Sequence, residues 1–584
     1  MRLNILDEEK NYWWIIAAIA VITFIPFLGE TLFNTKGEPR EAIVAVSMLQ
    51  QDNWILPESC GGDIPYKPPF FAWCIAIASS IFGGEVTEFT SRLPSAIAMI
   101  ITVMTGFCFF RKRSTPIVAF VMALVTMTAF EVHRAATACR VDMVLTMFIV
   151  TSLYALYRHH QRGANGISWL AILLMSGGVL TKGPIAVGLP CMVIGVYRLV
   201  QGDRFWRVFI NLAISGILAC VIPALWYIAA YGKGGDTFLN LALEENFGRL
   251  TGKMSYDSHV NPWYYNVITV VSGYAPYTLL LLFSLFGLSW KLRNPENKPT
   301  SYLSQPIKWL RSLDQVKLFS LLSIVLIFVF YCIPKSKRSV YLLPIYPFLA
   351  YYITLFILWL ARNGKRAVRV YAWVISSLSL IVAVAFLLIK CGLIPAESFG
   401  AKNAMFITGL NTAPITIITV ILFALLCAVA VATIRACTRY MHTKALMLTL
   451  FTTIVLYWNF SACLQPAVLN AKSDYDVALI IDELAPQGNV YSFIDDPFLR
   501  FYTINFYIGD RVKLFEKEMP ASGYIIVGEK DMELLSEKHS CNYTFTKAYR
   551  SDKKGCDLRQ YLLLLKFNRK QQCPCLGIKP SQSL

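Results

Sequence analysis

A short segment near the N-terminus combines charged residues and a proline in a pattern that suits anion binding. Lys36-Gly-Glu-Pro-Arg-Glu41 precedes Ala42–Leu49, whose apolar residues recur at helical spacing. Pro39 suits the first turn of a helix. Glu38 and Arg40 are therefore predicted at a helix N-terminus, where backbone N–H groups favour anions. A solvated capping cluster is the alternative interpretation.

Two further motifs place a lysine in a tight turn. Pro65-Tyr-Lys-Pro-Pro-Phe-Phe-Ala-Trp73 puts Lys67 at the start of an aromatic helix, where its ammonium suits a lipid phosphate. The alternative for Lys67 is an interface anchor that extends its charge towards water. Thr181-Lys-Gly-Pro184 holds Lys182 in a turn between two short apolar segments.

An acid stands at the start of a long apolar segment. Asp142 follows Arg140 by two residues and is followed by Met143-Val-Leu. An acid at a membrane boundary usually has a cationic partner or a functional role. Both interpretations stay open: a structural pair of Arg140 with Asp142, or an acid that takes part in chemistry.

Two later segments add groups that suit a sugar phosphate. Asn246–Gly252 and His259–Tyr265 offer amide, guanidinium, imidazole and aromatic side chains. Pro334–Pro344 contains three cations, among them Lys337, together with Tyr341, directly before an apolar segment. Such loops together are able to hold a phosphate with an acid nearby.

The elements that must position these motifs are membrane-spanning helices. Of the 584 residues, 56% are hydrophobic and only 15% are charged, against about 25% charged in a soluble protein. A helix along residues 66–83 is expected to lie in or near the interface. About thirteen spans are predicted from apolar runs that can cross a core of about 30 Å: 13–33, 92–110, 115–131, 140–157, 168–180, 184–199, 208–230, 266–289, 317–334, 340–360, 371–391, 413–434 and 445–463.

Loop charge gives the orientation of these spans. With the N-terminus inside, every inner loop is basic, which explains the net charge of +18 without a nucleic-acid partner. Residues 464–584 then lie outside. Cations in the outer loops run against this bias, which suggests a functional anion site; they are Arg40, Lys67, Arg134, Arg140, Lys182, Lys335, Lys337 and Arg338.

The tail reads as a small α/β domain. Residues 477–484 and 530–538 favour helices, and residues 489–494, 523–528 and 560–565 favour strands. The tail shows no phosphate loop and no triad, so support or acceptor guidance is expected. Cys541 and Cys556 flank a polar stretch, and a disulfide between them is left open.

Six motifs in order resemble those of the lipid A aminoarabinose transferases and their relatives among the GT-C glycosyltransferases, which include protein O-mannosyltransferases. The resemblance implies an α-helical polytopic fold over residues 1–465, with catalytic motifs in a first outer loop at 34–91, and a soluble α/β domain over 466–584. The motifs are Glu38-Pro-Arg40, Tyr66-Lys-Pro-Pro69, Arg140-x-Asp142, Lys182-Gly-Pro184, His259-x-x-Pro262-x-Tyr-Tyr265 and Lys337–Pro344.

The resemblance also implies a reaction. A sugar would pass from a polyprenyl-phosphate carrier to a lipid A, glycan or other extracytoplasmic acceptor, by single displacement with inversion. Arg40, Lys67 and Tyr341 would hold the donor phosphate, and Glu38 or Asp142 would act as base or electrostatic partner. The remaining residues expected to bind substrate are Arg140, Lys182, His259 and Lys337.

Two departures from the family pattern bear on this expectation. Gly37 replaces the first acid of an Asp-Glu pair, which leaves open which acid is the base. Tyr66 replaces an acid before Lys67, so a metal site would retain only His259 as an obvious ligand. No cofactor or metal is therefore expected to be required.

The resemblance places the chain in a bacterial inner membrane, as a monomer, with its active site and tail facing the periplasm. The alternative function is a transporter or flippase of an anionic lipid-linked substrate. That function favours buried charges in midspan and repeat symmetry, and neither is evident. The sequence specifies neither the sugar nor the choice among lipid A, another glycan and a protein as acceptor.

Overall fold

The computed structural model describes residues 11–65, 67–163, 166–248, 260–287, 306–486, 488 and 490–570. The chain divides into two compact units. The larger comprises Met1–Leu32, Asp52–Leu56 and Ile64–Ala471, and the smaller comprises Phe33–Gln51, Pro57–Asp63 and Lys472–Leu584.

Helices dominate the described chain. In chain order they are α1 (Asn11–Phe24), α2 (Pro39–Gln50), α3 (Phe70–Ile81), α4 (Glu88–Arg111), α5 (Pro116–Thr128), α6 (Phe130–Ala136), α7 (Val141–Gln161), α8 (Trp169–Lys182), α9 (Ile185–Gln201), α10 (Phe205–Leu243), α11 (Tyr265–Gly273), α12 (Tyr277–Gly287), α13 (Pro306–Ser312), α14 (Gln315–Cys332), α15 (Tyr346–Arg362), α16 (Arg366–Lys390), α17 (Ala401–Thr412), α18 (Ile417–Thr438), α19 (His442–Asn459), α20 (Gln465–Leu469), α21 (Tyr475–Leu484), α22 (Tyr502–Tyr507), α23 (Phe515–Glu518) and α24 (Met532–His539). Short π-helices cover Glu244–Gly248 and Phe460–Leu464, and 3₁₀ helices cover Ser339–Ile345, Ala396–Phe399, Asn470–Lys472 and Glu529–Asp531.

The larger unit is a multi-pass membrane bundle. Within the described residues, 8 helical segments are long and apolar enough to cross a membrane, or up to 10 if each of two bent pairs is one span. The bent pairs are α5 with α6, at 68°, and α11 with α12, at 101°. The 8 segments are Glu88–Arg111, Val141–Gln161, Phe205–Asn246, Gln315–Cys332, Ser339–Arg362, Arg366–Lys390, Ile417–Thr438 and His442–Lys472.

The predicted number of about thirteen spans is not confirmed, although each predicted segment contains a helix. The three remaining segments form α1, α8 and α9, of 14, 14 and 17 residues. A straight crossing needs about 20 residues. The Gly183-Pro184 turn keeps α8 and α9 short, because Gly183 has a φ of 88° and Pro184 lacks the N–H that would continue α8.

Close packing fixes the start of α7 against the end of α8. Helix α7 packs against α4, α8 and α9. A Cβ added at Gly178 would lie 2.6 Å from the Cβ of Ala186 and 3.2 Å from that of Phe148. Small residues allow this approach of membrane helices. Asp142, in the first turn of α7, and Arg158, in its last, suit the helix dipole.

The smaller unit contains the predicted α/β domain. Its five-stranded sheet has the order β2-β1-β3-β5-β4, with β1 (Val490–Phe493), β2 (Lys513–Leu514), β3 (Ser522–Gly528), β4 (Tyr543–Lys554) and β5 (Tyr561–Arg569). Strand β1 pairs parallel with β2 and β3, while β5 pairs antiparallel with β3 and β4. Alternate residues of β3 face two cores, Ile526 packing with Ile481 and Ile504, and Val527 with Phe515.

Part of the first outer loop also belongs to the smaller unit, whereas the sequence pattern places residues 34–91 with the transmembrane domain. The Tyr507 hydroxyl accepts a hydrogen bond from the Phe33 N–H at 2.8 Å, and the Ser473 hydroxyl donates to the Phe33 carbonyl at 2.6 Å. Helix α2 packs against α22. Residues 33–51 and 57–63 thus fold with the tail because hydrogen bonds to it satisfy their polar groups.

Candidate active site

A cavity of about 350 Å³ in the larger unit joins several of the predicted motifs. The turn that carries Lys67, the turn after α8, the π-helix Glu244–Gly248 and the segment around the end of α14 all contribute to it. Its polar lining consists of Lys67, Lys182, Glu245, Asn246, Tyr331, Ser336 and Tyr341, and its apolar lining of Pro68, Pro184, Ile185, Gly188, Phe330 and Pro334. Such a mixture suits a ligand with a charged group and a hydrocarbon chain.

An ion pair lies at the edge of this cavity. The Lys182 ammonium, on the last residue of α8, donates a hydrogen bond to Oδ1 of Asp142. Asp142 is 7% exposed, so the attraction acts in a medium of low dielectric constant. The cation that pairs with Asp142 is therefore Lys182. Arg140 instead precedes α7 as its N-cap, where its backbone exchanges two hydrogen bonds with the Ser95 hydroxyl, at 3.1 and 3.2 Å.

Aromatic rings hold the same lysine from another side. The Lys182 Nζ lies 4.5 Å from the centroid of the Tyr341 ring, a cation–π distance. The Tyr341 ring stacks on Tyr331, with centroids 5.5 Å apart and planes inclined by 29°. Lys182 is thus fixed by a carboxylate and an aromatic face, so its ammonium is preorganised at the cavity.

Among the residues that the structure describes, the site carries more positive than negative charge. The cations that act on the Asp142 carboxylate are Lys182, Arg338 and Lys67. Glu245 is the second acid at the cavity. Three cations against two acids, in a partly buried cleft, favour an anionic ligand such as a phosphate.

The turn at Gly183 depends on a missing side chain. A Cβ at Gly183 would overlap Oδ1 of Asn246, and the φ of 88° is unfavourable for other residues. The Asn246 amide donates to the Ala242 carbonyl at 2.8 Å and to the Tyr227 hydroxyl at 3.4 Å. The Lys182-Gly183 turn and the π-helix therefore meet at this glycine.

Glu38 and Arg40 lie in the smaller unit. Helix α2 begins at Pro39 with Glu38 as its N-cap, which confirms the predicted helix start. The Arg40 guanidinium pairs with Glu41 at 3.5 Å, and Glu38 is 8% exposed. Within the larger unit the structure brings together Lys67, Asp142, Lys182 and Tyr341.

Lys337, another predicted site residue, lies outside the lining of the cavity. Lys337 is 5% exposed, and its ammonium donates to the Pro334 carbonyl at 2.6 Å. Lys337 closes its own turn and is not among the residues that line the cavity. His259 and Tyr66 lie outside the described residues.

The sequence pattern did not single out Glu245, Tyr331 or Ser336 as site residues. Glu245 lies in the π-helix that continues the long apolar helix α10. An acid at a helix end beside the membrane is the signal that pointed to Asp142, and it applies equally to Glu245. Tyr331 and Ser336 carry no comparable signal, because only the fold brings them to the cavity.

Comparison with known proteins finds similarity in the part of the chain that contains this site. A family model described as "Dolichyl-phosphate-mannose-protein mannosyltransferase" matches residues 66–227, which include Lys67, Asp142 and Lys182. The crystal structure of ArnT from Cupriavidus metallidurans bound to undecaprenyl phosphate aligns with a TM-score of 0.66, over 94% of this chain and 97% of that one, at 17% identity. The chain has the ArnT fold. The apo form of that ArnT gives a TM-score of 0.67, so the predicted fold class is confirmed.

Curated relatives extend the likeness to ArnT in sequence. An uncharacterized protein from Aquifex aeolicus is 26% identical over 348 residues, 58% of this chain and 62% of that protein. The undecaprenyl phosphate-alpha-4-amino-4-deoxy-L-arabinose arabinosyl transferase 2 of Proteus mirabilis is 25% identical over 387 residues, 64% of this chain and 65% of that protein. The chain thus spans less than two thirds of the length of these relatives, and the expected resemblance to ArnT is confirmed.

Proposed function

We propose that this chain is an integral membrane glycosyltransferase that moves a sugar from a polyprenyl-phosphate carrier to an acceptor outside the cytoplasm. The observation that carries the proposal is the cavity in which Lys67, Lys182 and Tyr341 meet beside apolar walls. A polyprenyl phosphate has a matching anionic head and hydrocarbon chain. The Proteus mirabilis relative is named for an undecaprenyl-phosphate-linked sugar, and the Cupriavidus metallidurans ArnT was crystallised with undecaprenyl phosphate.

The cations act on the leaving group. As the bond between sugar and phosphate breaks, negative charge grows on the phosphate, so fixed ammonium groups stabilise the transition state more than the ground state. Lys182 is held for this task by Asp142 and Tyr341. Arg40 is proposed as a further phosphate ligand, whose guanidinium would bind two phosphate oxygens at once. Arg140, His259 and Lys337 remain proposed contributors to substrate binding.

The acids divide into two roles. Because Asp142 is engaged by Lys182, we assign it to electrostatic positioning of that lysine. An acceptor hydroxyl needs a general base, whereas an acceptor phosphate does not. Glu38 is the base proposed from the sequence, and Glu245 is the acid that lines the cavity. The reaction is a single displacement with inversion, and the ammonium groups supply the positive charge without a required metal.

The proposed setting is a bacterial inner membrane, with the site on the periplasmic face and the chain acting as a monomer. The acceptor is a lipid such as lipid A, a glycan or a protein. A pentose or hexose bearing an amine is the first donor to test, since several relatives are named for an amino-sugar donor.

The test uses the purified full chain with undecaprenyl-phosphate sugars and a lipid A acceptor, and it measures released undecaprenyl phosphate. We expect release by the wild type and its loss in Lys182→Ala. Lys335→Ala is the matched control, because Lys335 is an exposed lysine of the Pro334–Pro344 loop that does not line the cavity. Wild-type chain that binds the donor without releasing undecaprenyl phosphate under any donor and acceptor would favour the transporter.

A further inference from the structure

Two carboxylates and a thiol meet inside the smaller unit, and none of them has a role in the proposed reaction. Asp474 is the N-cap of α21, and Cys556 and Asp557 lie in the turn between β4 and β5. One ligand atom from each, two carboxylate oxygens and the Sγ, lie within 4.8 Å of one another. Asp474 is 1% exposed and Asp557 is 6% exposed.

The surrounding backbone orients this cluster. Oδ2 of Asp474 accepts a hydrogen bond from the Cys556 N–H at 2.9 Å. Asp557 accepts two from Thr503, from its N–H at 2.8 Å and from its hydroxyl at 3.0 Å. The Cys556 Sγ lies 3.2 Å from the Thr503 hydroxyl. Three elements, α21, α22 and the β4–β5 turn, therefore hold the three groups in one arrangement.

One oxygen of the cluster has no hydrogen-bond partner among the described residues. It is Oδ1 of Asp474, which is buried, whereas Oδ2 of the same carboxylate accepts from the Cys556 N–H. A buried acceptor without a partner costs about 1–3 kcal/mol. The hydrogen bonds from Thr503 and from the Cys556 N–H thus explain the positions of the two Asp557 oxygens and of Oδ2 of Asp474, but not the burial of Oδ1 of Asp474.

Two cations act on the cluster, Lys553 on Asp474 and Lys36 on Asp557, but they do not cancel the effect of burial. Burial raises the pKa of Asp557 to about 7, and burial also raises the pKa values of Asp474 and of the Cys556 thiol. Lys553, the cation that acts on Asp474, bonds Asp476 at 3.0 Å. A cation between the three groups would remove the repulsion and supply the missing partner of Oδ1.

We propose that Asp474, Cys556 and Asp557 bind one divalent transition-metal ion of the zinc class as a structural site. Zinc takes thiolate sulfur at about 2.3 Å and carboxylate oxygen at about 2.0–2.2 Å, so small side-chain shifts from the present spacing suffice. Calcium and magnesium prefer six or more oxygen ligands, whereas a thiolate selects softer ions. Binding displaces the thiol proton and any carboxylate proton to solvent, and the Thr503 hydroxyl or a water completes the tetrahedron.

The proposed ion would join the start of α21 to the turn that closes the β-sheet. Because a metal that binds the folded state stabilises it, zinc should raise the unfolding temperature of the full chain. This expectation is independent of the sugar-transfer reaction.

The test is a titration of the metal-stripped full chain with Co²⁺, a spectroscopic substitute for zinc. Cys573→Ser and Cys575→Ser are included in every variant, since these cysteines near the C-terminus could bind cobalt themselves. We expect one equivalent to bind with a thiolate-to-cobalt charge-transfer band in the near ultraviolet. Cys556→Ser should lose the band, whereas the matched control Cys541→Ser should keep it, because Cys541 is exposed and outside the cluster.

Asp557→Asn keeps an acceptor for Thr503 and should weaken cobalt binding at least about tenfold. Zinc should raise the unfolding temperature of the Cys541→Ser chain but not that of the Cys556→Ser chain. Absence of the band in the otherwise wild-type chain, a band that survives Cys556→Ser, or stabilisation by Ca²⁺ alone would each overturn the proposal.

Discussion

Replacing Asp142 by asparagine tests two roles of its ion pair with Lys182, the stability of the fold and the positioning of the Lys182 ammonium. Asparagine keeps the shape of the side chain and can still accept a hydrogen bond from Lys182, but it removes the negative charge. The side chains of Lys182 and Asp142 are 20% and 10% exposed. Removing one partner of a buried pair costs about 3–5 kcal/mol. Because the Lys182 ammonium borders a cavity and is partly solvated, we expect about 2 kcal/mol of lost stability.

The effect on transfer should exceed what unfolding explains. Without the carboxylate, the Lys182 ammonium loses its ion pair, keeps its contact with the Tyr341 ring, and can move from its proposed place at the donor phosphate. A displacement of about 1 Å near the reacting group costs about a hundredfold in rate. We therefore expect Asp142→Asn to lower kcat about a hundredfold in chain that is still folded.

A double variant supplies the decisive comparison. In Asp142→Asn with Lys182→Met neither member of the ion pair keeps its charge, so stability should return to within about 1 kcal/mol of the wild type, while transfer stays lost. Thermal unfolding in detergent measures the first quantity and release of undecaprenyl phosphate the second. Asp203→Asn, which breaks a pair with Arg198 that does not line the cavity, is the control and should leave transfer unchanged. Recovery of transfer in the double variant would refute the assignment of Lys182 to the phosphate.

Three further perturbations test other parts of the structure. Gly183→Ala places a Cβ against Asn246 at a backbone angle that favours glycine, and it should lower the free energy of unfolding by about 1–3 kcal/mol and abolish most of the transfer activity. The control Gly232→Ala should have little effect, because Gly232 has open space around it. Equal activity of the two variants would contradict the clash. Asp510→Ala removes the acceptor of the Ser47 hydroxyl, the Cys60 N–H and the Asn505 amide, and it should lower the free energy of unfolding by about 3 kcal/mol. The control Asp482→Ala breaks a largely exposed pair with Arg511 and should lower it by less than about 1 kcal/mol. Similar losses in the two variants would show that the Asp510 network contributes little stability. Incubation with EDTA should leave the initial rate of transfer unchanged at a temperature where the chain stays folded, since ammonium groups supply the positive charge; a rate restored only by added metal would contradict this.

Local signals in the sequence were sufficient for the residues that their own turn or helix end places. Pro39 marks the start of α2, and Gly183-Pro184 marks the turn after Lys182. Such local signals could not identify the cation that pairs with Asp142. Arg140 is two residues away but Lys182 is the partner, because residues that adjoin in sequence at a helix start point in different directions, whereas packing of α7 on α8 brings the two helix ends together.

The missed strands have a similar explanation. Strand β4, which includes Thr546, Lys547, Arg550 and Lys554, is mostly polar, so it lacks the apolar alternation that identifies β5. It forms an edge of the sheet, where charged side chains discourage pairing with other chains. Strand β2 has only two residues and no pattern of its own. Both segments are edge strands, so their sequences lack the apolar pattern that burial imposes on central strands.

Sequence patterns also did not show that part of the first outer loop folds with the tail. This packing gives the tail a structural role, which is to hold α2. Asp510 accepts from Ser47 in the last turn of α2 at 2.6 Å and from the Cys60 N–H at 2.8 Å. Arg500 pairs with Asp63 at 2.9 Å in the same loop. These contacts join residues more than 400 positions apart in the chain, so no local signal announces them. Glu38 and Arg40 lie at the start of the helix whose last turn contains Ser47, so loss of the tail would leave that helix without these contacts. Support of α2 needs no chemistry from the tail itself.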